Sequence, residues 1–517
     1  MATRTVVFLC SVWLSLQSSF AHAAQDESPI VTQQQAQIGG KPVSYTAEVG
    51  RVPIRDVETG EPHGFMFYTA YRMPSTGKPR PVTFVWNGGP GAASTLLHFS
   101  VVGPKLVEKG RLTDNPDTWL THSDLVLVDP IGTGFSRPAR PEYAQEFYGT
   151  VGDVTSVTEF IRAWRILHRA EHAPLFLAGE SWGARRAANV GYELQNRGIE
   201  VSGLVLISGG WGLTQEYGSP TLRQALNVVD MAATALYHGK TAPELGKDLS
   251  AVQRRAEKWV RETYAPALAR VDKLTQAERD AVIRELTRFT GLPGAQIDAK
   301  TLVITPRQFR MELLKGSGKV PYIFDMRRMS GEADESSAAD DRAMLDYLRE
   351  TLGYRTDVPY IGLEDMKQGY APSGKYPRSV GERWNYATVP LTPEEVQTEI
   401  AAAAKRGDGP PRLGPPLPGT DAVLKLNPRV KILVAGGLYD SFLPCAAGVE
   451  QSRQLPVSLR EAAIFKCYSG GHAMYMDADA REAFSRDVGA LISSVDRVRQ
   501  TRVNPSRAHS HFALRKR

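Results

Sequence analysis

The residue best placed for covalent chemistry is Ser181, in the pentapeptide Gly179-Glu180-Ser181-Trp182-Gly183. The pattern G-x-S-x-G is weak alone, because a chain this long can contain it by chance, and an ordinary strand-to-helix corner is the alternative. Here an apolar run, "PLFLA", precedes the serine and a helical pattern, "WGARRAANVGYELQNRG", follows it. Such a corner exposes a serine for attack, and the helix N-terminus stabilises negative charge. The sequence therefore predicts Ser181 as a nucleophile.

A serine hydroxyl needs a base to remove its proton and an acid to orient that base. Asp440 comes just after the apolar run "KILVAGG", and His472 follows the next run, "AIFKCY", on a Gly-Gly turn. Both positions are predicted carboxyl ends of strands, where ligands collect in open α/β sheets. A rival acid, Asp477, lies too close to His472 to belong to the preceding strand. The competing histidines lie in helical, loop or tail contexts: His98, His122, His168, His172, His238, His509 and His511.

A third candidate element is the glycine-rich loop in "FVWNGGPGAAS", residues 84–94. A strand runs into this loop, so its backbone amides could stabilise an oxyanion. A plain turn is the alternative, since Asn, Gly and Pro are turn residues. A phosphate-binding loop is excluded, because no lysine follows at the required spacing. No histidine pair has the spacing of metal ligands, and we expect neither a metal nor another cofactor.

Short apolar runs predict the strands that position these residues. Runs without alternation fit strands covered on both faces, and helical patterns between them indicate a parallel α/β sheet. The segment "FMFYTAYRM" predicts antiparallel strands near the N-terminus. In the helical pattern of residues 151–170 the apolar positions are Val154, Val157, Ile161, Trp164 and Leu167. The strand-like runs are residues 81–86, 123–129, 174–179, 203–210, 429–437 and 462–468.

Between residues 213 and 420 the pattern changes to charged amphipathic helices without strand character. One of them opens with the capping box Thr392-Pro393-Glu394-Glu395 and is predicted to close at Gly407. We interpret residues 213–420 as a mainly helical cap insertion and linker. The insertion separates two parts of one core, residues 24–212 and residues 421–497.

Both ends of the chain carry signals outside the core. A basic start, the apolar run "VVFLCSVWLSLQSSF" and Ala21-His22-Ala23 predict a signal peptide over residues 1–23 and an exported protein, periplasmic or secreted. A membrane anchor or a lipoprotein at Cys10 is the weaker alternative. Cleavage removes Arg4 and lowers the net charge from +6 to +5. The basic residues 498–517 predict a disordered tail, with attachment to anionic surfaces as the alternative. We expect no nucleic-acid partner and no membrane span.

Two cysteines remain after cleavage, Cys445 and Cys467. An even pair in an oxidising compartment is compatible with a disulfide. Because sequence alone does not give their separation, buried free thiols remain the alternative.

Five blocks in one order resemble the serine carboxypeptidases, which are α/β hydrolases with a helical cap. The blocks are "VWNGGPGAAS", "NPDTW", "VDPIGTGFS", "GESWG" and "GGH". The resemblance covers roughly residues 40–212 and 425–490. In the cap only "YIFDMRRMSG" loosely resembles bacterial members. The resemblance to the serine carboxypeptidases therefore implies an α/β-hydrolase fold, in which a mostly parallel central sheet carries N-terminal antiparallel strands and a helical cap insertion.

The resemblance also implies roles for residues. Ser181, Asp440 and His472 would be nucleophile, orienting acid and general base. The amides of Gly89 and Trp182 would form the oxyanion hole. The substrate's terminal carboxylate would be bound by Asn87, the Gly88 amide and Glu180.

Departures from the family's blocks are confined to a few positions. Trp182 stands where the family usually has Tyr, but its backbone amide keeps the implied role. Ala92 replaces a cysteine, so a disulfide of eukaryotic relatives cannot form there. The block around Asp440 is looser than the family's. Cys445 lies near a cysteine that can stay free in the family, which weighs against the disulfide.

The signal peptide, the candidate site residues and the resemblance together predict an exported serine carboxypeptidase. It would form an acyl-enzyme on a peptide with a free C-terminal carboxylate. Two ionised carboxylates in contact repel each other, so one of them must hold a proton. We therefore expect Glu180 to bind such a substrate best in acid. An esterase or acyltransferase is the nearest alternative, although Asn87 and Glu180 would be wasted on a substrate without a carboxylate. A non-catalytic secreted binding protein is the alternative from another class, and the intact serine, aspartate and histidine count against it.

Overall fold

A computed structural model describes residues 28–75, 77–213, 217–332, 337–363, 379–406 and 413–503, with side chains as far as residue 495. The predicted signal peptide, Gly407 and residues 504–517 lie outside these ranges.

Most of the strands form a single sheet. Ten strands pair in the order β1-β2-β3-β7-β4-β9-β10-β11-β12, with β8 beside β3, and β5 and β6 form a separate hairpin. The first four along this order are antiparallel, and β7 to β12 are parallel. The strands are β1 (Ile30–Ile38), β2 (Lys41–Arg55), β3 (Pro62–Arg72), β4 (Val82–Trp86), β5 (Lys105–Glu108), β6 (Arg111–Asp114), β7 (Asp124–Val128), β8 (Arg137–Pro138), β9 (Leu175–Glu180), β10 (Gly203–Ile207), β11 (Lys431–Gly437) and β12 (Ala463–Tyr468).

Helices flank the sheet and fill most of the long insertion. They are α1 (Thr95–Leu97), α2 (Ala144–Phe147), α3 (Thr150–Leu167), α4 (Trp182–Asn196), α5 (Pro220–Tyr237), α6 (Leu249–Trp259), α7 (Ala265–Ala269), α8 (Gln276–Thr290), α9 (Pro306–Leu313), α10 (Ala338–Asp346), α11 (Pro393–Arg406), α12 (Thr420–Leu426), α13 (Cys445–Gln454), α14 (Val457–Arg460) and α15 (Ala478–Val503).

The central strands are apolar throughout because both faces of the sheet are covered. In β4, Phe84 packs into the cluster that holds α3 and α4, whereas Val85 packs into the cluster that holds α15. Each predicted apolar run overlaps one of these strands, and β9 extends one residue past its run, to Glu180. The apolar stripe predicted for α3 is shorter than expected, because Leu167 ends the helix and is 66% exposed.

The buried residues of the insertion between β10 and β11 belong to more than one hydrophobic cluster. Residues between 225 and 326 share a hydrophobic cluster of their own, as expected of a cap. In contrast, Tyr347, Leu348 and Leu352 pack into the main core. They do so because β2 and β3 present apolar side chains, such as Tyr45 and Phe67, on that face of the sheet. This part of the predicted cap insertion and linker therefore packs as part of the main core.

The predicted start of the disordered tail is wrong, because α15 continues to Val503. Ala480, Phe484, Val488 and Ile492 recur at helical spacing and are buried against the sheet, which anchors the helix. No glycine or proline interrupts the sequence after them until Pro505, so the helix can continue past residue 498.

The two cysteines are joined. Cys445 opens α13 and Cys467 lies in β12, and a disulfide links them with their Cα atoms 5.7 Å apart. Of the two possibilities left open by the sequence, the structure contains the bridge.

Candidate active site

Ser181 lies on a sharp turn between β9 and α4, with φ 57° and ψ −120°. A residue other than glycine rarely adopts a positive φ, which costs on the order of 1 kcal/mol and is typical of functional sites. The flanking glycines are sterically required. A Cβ on Gly179 would lie 2.0 Å from the Gly183 carbonyl oxygen, and one on Gly183 would lie 2.6 Å from the Asn87 carbonyl oxygen. The turn therefore lifts one side chain, that of Ser181, away from a tightly packed backbone.

Asp440 and His472 form a hydrogen-bonded pair after β11 and β12, the strand ends predicted for them. The distance from Asp440 Oδ2 to His472 Nδ1 is 2.6 Å. The Asp440 side chain is buried, and its Oδ1 accepts the Phe442 N–H at 2.8 Å. A carboxylate at Nδ1 favours the tautomer with the proton on that nitrogen, so Nε2 is left to accept a proton.

The end of β10 connects the serine turn with the histidine turn. The Ser181 N–H donates to the Ile207 carbonyl oxygen at 2.8 Å, and the Ser208 hydroxyl donates to the His472 carbonyl oxygen at 2.5 Å. The next residue, Gly209, packs so tightly that a Cβ on it would lie 2.3 Å from the Ser181 carbonyl oxygen. The structure thus brings the predicted nucleophile, acid and base to one edge of the sheet.

The glycine-rich loop after β4 lies against the serine turn. A Cβ on Gly88 would lie 2.5 Å from the Glu180 carbonyl oxygen and 2.7 Å from the Trp182 nitrogen. Only a glycine allows this approach, and the next residue, Gly89, has a φ of 102° that glycine adopts readily. The two amides predicted for the oxyanion hole, those of Gly89 and Trp182, therefore belong to segments in contact.

A buried carboxylate braces this loop from the neighbouring strand. Asp129 Oδ1 accepts the Ser94 N–H at 2.8 Å, and its Oδ2 accepts the Tyr360 hydroxyl at 2.8 Å. Burial raises the pKa of Asp129 despite these donors. The motif "VDPIGTGFS" thus has a structural task, which is to fix the end of the glycine-rich loop.

A cluster of buried polar side chains adjoins the nucleophile. Asn87 Nδ2 donates to Glu180 Oε2, and the Tyr475 hydroxyl donates to Glu180 Oε1 at 2.6 Å. Asn87 Oδ1 accepts the Leu97 N–H at 3.1 Å, which fixes the amide's orientation. Asn87, Glu180 and Tyr475 are 3%, 4% and 0% exposed. The structure brings the predicted pair Asn87 and Glu180 together.

Sequence reasoning missed Tyr475. Its position three residues after His472 is the only signal, and such a tyrosine reads equally well as a core residue. Sequence reasoning also missed Arg186, whose Nη1 donates to the Asn87 carbonyl oxygen at 2.9 Å and whose Nε donates to Asp153 Oδ2 at 2.6 Å. Burial raises the pKa of Asp153, although Arg186 acts to lower it. This buried pair links α3 and α4 to the backbone of Asn87.

An aromatic surface lies beside the nucleophile. The Trp182 ring contacts Tyr386 and Trp384 edge to face, at centroid distances of 5.5 and 6.0 Å. The Arg185 guanidinium lies 5.2 Å from the same ring, and burial lowers the pKa of Arg185. The backbone amide of Trp182 therefore lies at the serine turn, whereas its ring packs against residues of the insertion.

Residues of this kind can carry out acyl transfer. They comprise a serine on a strained turn, an oriented imidazole, adjacent backbone amides and a buried carboxylate. Within the described part of the chain, no group of three or more His, Cys, Asp or Glu side chains has a metal-binding arrangement. Over the same residues, no helix has both the length and the apolar character needed to span a membrane.

Part of the chain matches a known protein family. Residues 42–201 match the family model described as serine carboxypeptidase. This segment holds the glycine-rich loop and the serine turn, but neither Asp440 nor His472. The chain is 26% identical to Serine carboxypeptidase-like 50 of Arabidopsis thaliana over 352 residues, which cover 64% of this chain and 73% of that protein.

Other matches are shorter or reflect the fold. Pheromone-processing carboxypeptidase kex1 of Aspergillus niger is 31% identical over 29% of this chain and 24% of its own length. The crystal structure of KEX1(delta)p, a prohormone-processing carboxypeptidase from Saccharomyces cerevisiae, superposes with a TM-score of 0.50. It is 14% identical, covering 87% of this chain and 91% of that one. Residues 42–201 are thus similar to the serine carboxypeptidase family, and the chain has an α/β-hydrolase fold.

Proposed function

We propose that this protein is an exported serine carboxypeptidase that releases C-terminal residues from peptides and works best in acid. The observation that carries the proposal is the buried contact of Asn87 and Tyr475 with Glu180, the residue next to the nucleophile. A buried carboxyl group at this place suits a substrate that ends in a carboxylate, because the two groups can share one proton. Relatives named as carboxypeptidases support the same activity.

The reaction would proceed in two steps. His472 Nε2 removes the proton of the Ser181 hydroxyl while the serine oxygen attacks the last peptide carbonyl. The amides of Gly89 and Trp182 stabilise the resulting oxyanion. The intermediate collapses as the C–N bond breaks, and His472 gives its proton to the leaving amino acid. His472 then removes a proton from water, which attacks the acyl-Ser181 ester, and returns that proton to the Ser181 oxygen as the C–O bond breaks. Asp440 holds the imidazole in orientation throughout.

Three substrates separate this proposal from its alternatives. An N-blocked dipeptide, its C-terminal amide and its C-terminal ester are incubated with the mature protein and with Ser181→Ala from acid to neutral pH. Serine-dependent release of the free amino acid from the dipeptide, strongest in acid, supports the carboxypeptidase. Cleavage of the ester with an inert dipeptide supports an esterase. No serine-dependent turnover on any substrate supports a binding protein.

Export is tested separately. Cell fractionation of a bacterial expression host followed by N-terminal sequencing should give a periplasmic or secreted protein that begins at residue 24. A cell-associated protein that retains residues 1–23 would contradict export without affecting the proposed chemistry.

A further inference from the structure

A short turn of the insertion packs against the loops that carry Asp440 and His472. It spans residues 320–330, and we name it the bracing turn. Its two arms are joined by hydrogen bonds, from the Tyr322 N–H to the Arg328 carbonyl oxygen at 2.8 Å and from the Ser330 N–H to the Val320 carbonyl oxygen at 2.8 Å. The tip is closed by the Arg328 N–H, which donates to the Asp325 carbonyl oxygen at 3.0 Å. These bonds give the turn a defined shape of its own.

The bracing turn bonds to the residues on both sides of Asp440. The Met326 N–H donates to the Tyr439 carbonyl oxygen at 2.9 Å. The Ser441 hydroxyl donates to the Ile323 carbonyl oxygen at 2.6 Å. The loop that carries the acid, residues 438–443, is therefore held by the turn on each side of its functional residue.

The same turn bonds to the loop that carries the base, residues 469–477. The His472 N–H donates to the Phe324 carbonyl oxygen at 2.5 Å, and the Phe324 ring lies 4.9 Å from the imidazole. A Cβ on Gly471 would lie 2.4 Å from the Asp325 Cβ, so the two backbones are in close contact. The bracing turn thus touches both loops within one residue of Asp440 and His472.

Arg327 holds the bracing turn against the loop that carries His472 through ion pairs. Its Nε and Nη2 donate to the two Asp325 carboxylate oxygens at 2.9 and 2.5 Å, and its Nη1 donates to Asp477 Oδ2 at 2.8 Å. Its guanidinium also lies 5.0 Å from the centre of the Tyr439 ring. Burial alone would lower the pKa of Arg327, but the two carboxylates raise it, so the group stays charged. One planar cation therefore joins the bracing turn to the base loop and covers the acid loop.

We propose that Arg327 is a positioning residue: by bridging Asp325 and Asp477, it fixes His472 in register with Asp440. The inference rests on the proposed roles of Ser181, Asp440 and His472. The turn residues that contact these loops, 323–326, lie one to four positions before Arg327, so the loss of Arg327 changes the relative position of the two loops. Displacement of a catalytic group by about 1 Å can lower the rate about 100-fold.

Arg261 provides a matched control. Its guanidinium also joins the insertion to the core, since it bonds to Glu257 of α6 and to the buried Glu450 of α13. No described contact links Arg261 to either catalytic loop. If an arginine bridge mattered only for docking the insertion on the core, Arg261→Ala and Arg327→Ala would have equal effects on catalysis.

The experiment measures kcat and KM on the best of the three substrates above, together with the rate at which a fluorophosphonate labels Ser181. For Arg327→Ala we expect kcat and the labelling rate to fall about 10- to 100-fold, with KM within threefold of wild type. Arg327→Lys should recover part of the rate, because lysine keeps the charge but lacks the planar fork. Arg261→Ala should stay within twofold in kcat and labelling rate.

Asp477→Asn guards against a folding defect in the arginine variant. Its carboxylate is 42% exposed, and its loss should lower kcat in the same direction by about threefold or more, without a change in the circular dichroism spectrum. Wild-type rates in Arg327→Ala, or an equal loss in Arg261→Ala, would overturn the inference. A wild-type protein that neither labels at Ser181 nor turns over any substrate would instead contradict the proposed function.

Discussion

Glu180 makes its polar contacts with side chains from two distant parts of the chain. Asn87 follows β4, and Tyr475 follows His472, yet each donates to a different Glu180 carboxyl oxygen. A group held from both sides has little rotamer freedom left to lose on binding. This arrangement suits recognition of one fixed group, and a variant can remove either donor separately.

Tyr475→Phe removes one donor and leaves the ring in place. We expect KM for the free dipeptide to rise roughly tenfold with kcat nearly unchanged, because a buried acceptor that loses its donor costs about 1–3 kcal/mol. KM for the C-terminal ester should change less than twofold. Steady-state kinetics on the two substrates checks this, with Tyr68→Phe as control. Tyr68 is also buried and donates to a buried carboxylate, Glu48, far along the sheet. An equal loss on dipeptide and ester would show that Tyr475 matters only for packing.

Glu180→Gln tests the sharing of a proton. The amide keeps the shape of the side chain but cannot titrate, so KM for the dipeptide should rise about tenfold or more at acid pH and lose its pH dependence. Wild type should bind the dipeptide progressively less well as the pH rises to neutrality. Plots of KM against pH for both proteins, with the ester as a substrate that lacks the carboxylate, measure the effect. Identical plots for variant and wild type would contradict a role of Glu180 in carboxylate binding.

At the scale of elements, the carboxyl ends of β9, β10, β11 and β12 position the site. These ends were predictable because each strand is an apolar run closed by glycines or by acidic residues. The partners of the strand ends were not predictable in the same way. Tyr475 and Arg327 act through contacts between segments that no periodicity or spacing connects, and the resemblance to the family hardly extends into the insertion. Local pattern therefore identifies strand ends, whereas the packing of distant segments decides which side chains support them.

Adjacent glycines after β10 give a test of this close packing. A Cβ on Gly209 would lie 2.3 Å from the Ser181 carbonyl oxygen, whereas a Cβ on Gly210 would have nothing within 4 Å. Gly209→Ala should therefore displace the serine turn and lower kcat/KM about 100-fold. Gly210→Ala should leave kcat/KM and the melting temperature close to wild type. The two variants are compared by kinetics and by thermal unfolding, and equal effects would show that β10 does not set the position of Ser181.

At the scale of the whole molecule, the insertion is attached to the core at several separate points. Arg261 reaches Glu450, the bracing turn reaches both catalytic loops, and Asp230 of α5 reaches the first turn of α13. The insertion's own hydrophobic cluster continues to Met326, in the bracing turn. Folding of the insertion and completion of the active site are therefore coupled, because the same residues belong to both.

Asp230 makes one of these attachments dependent on pH. Its carboxyl group is buried and accepts the Ala446 N–H at 3.2 Å, and burial raises its pKa from 3.8 to about 8. Because the folded protein then binds this proton more tightly than the unfolded chain, the contribution of Asp230 to stability falls as the pH rises from about 4 to about 8. Asp230→Asn removes the titration, so the variant should gain stability relative to wild type over this interval.

The gain is at most about 6 kcal/mol, since the pKa changes from 3.8 to about 8 and each pKa unit corresponds to about 1.4 kcal/mol. Urea unfolding of both proteins between pH 5 and pH 8 measures it. Asp340→Asn serves as control, because burial would raise the pKa of Asp340 but the hydrogen bonds from Gly110 and Ser337 lower it overall, so that Asp340 titrates below this interval. The free energy of unfolding of Asp340→Asn should differ from that of wild type by a constant amount between pH 5 and pH 8. If the difference in unfolding free energy between Asp230→Asn and wild type is also constant, Asp230 stays ionised in the folded protein over this interval. The contact between α5 and α13 would then consist of a permanently charged carboxylate at the N-terminus of α13.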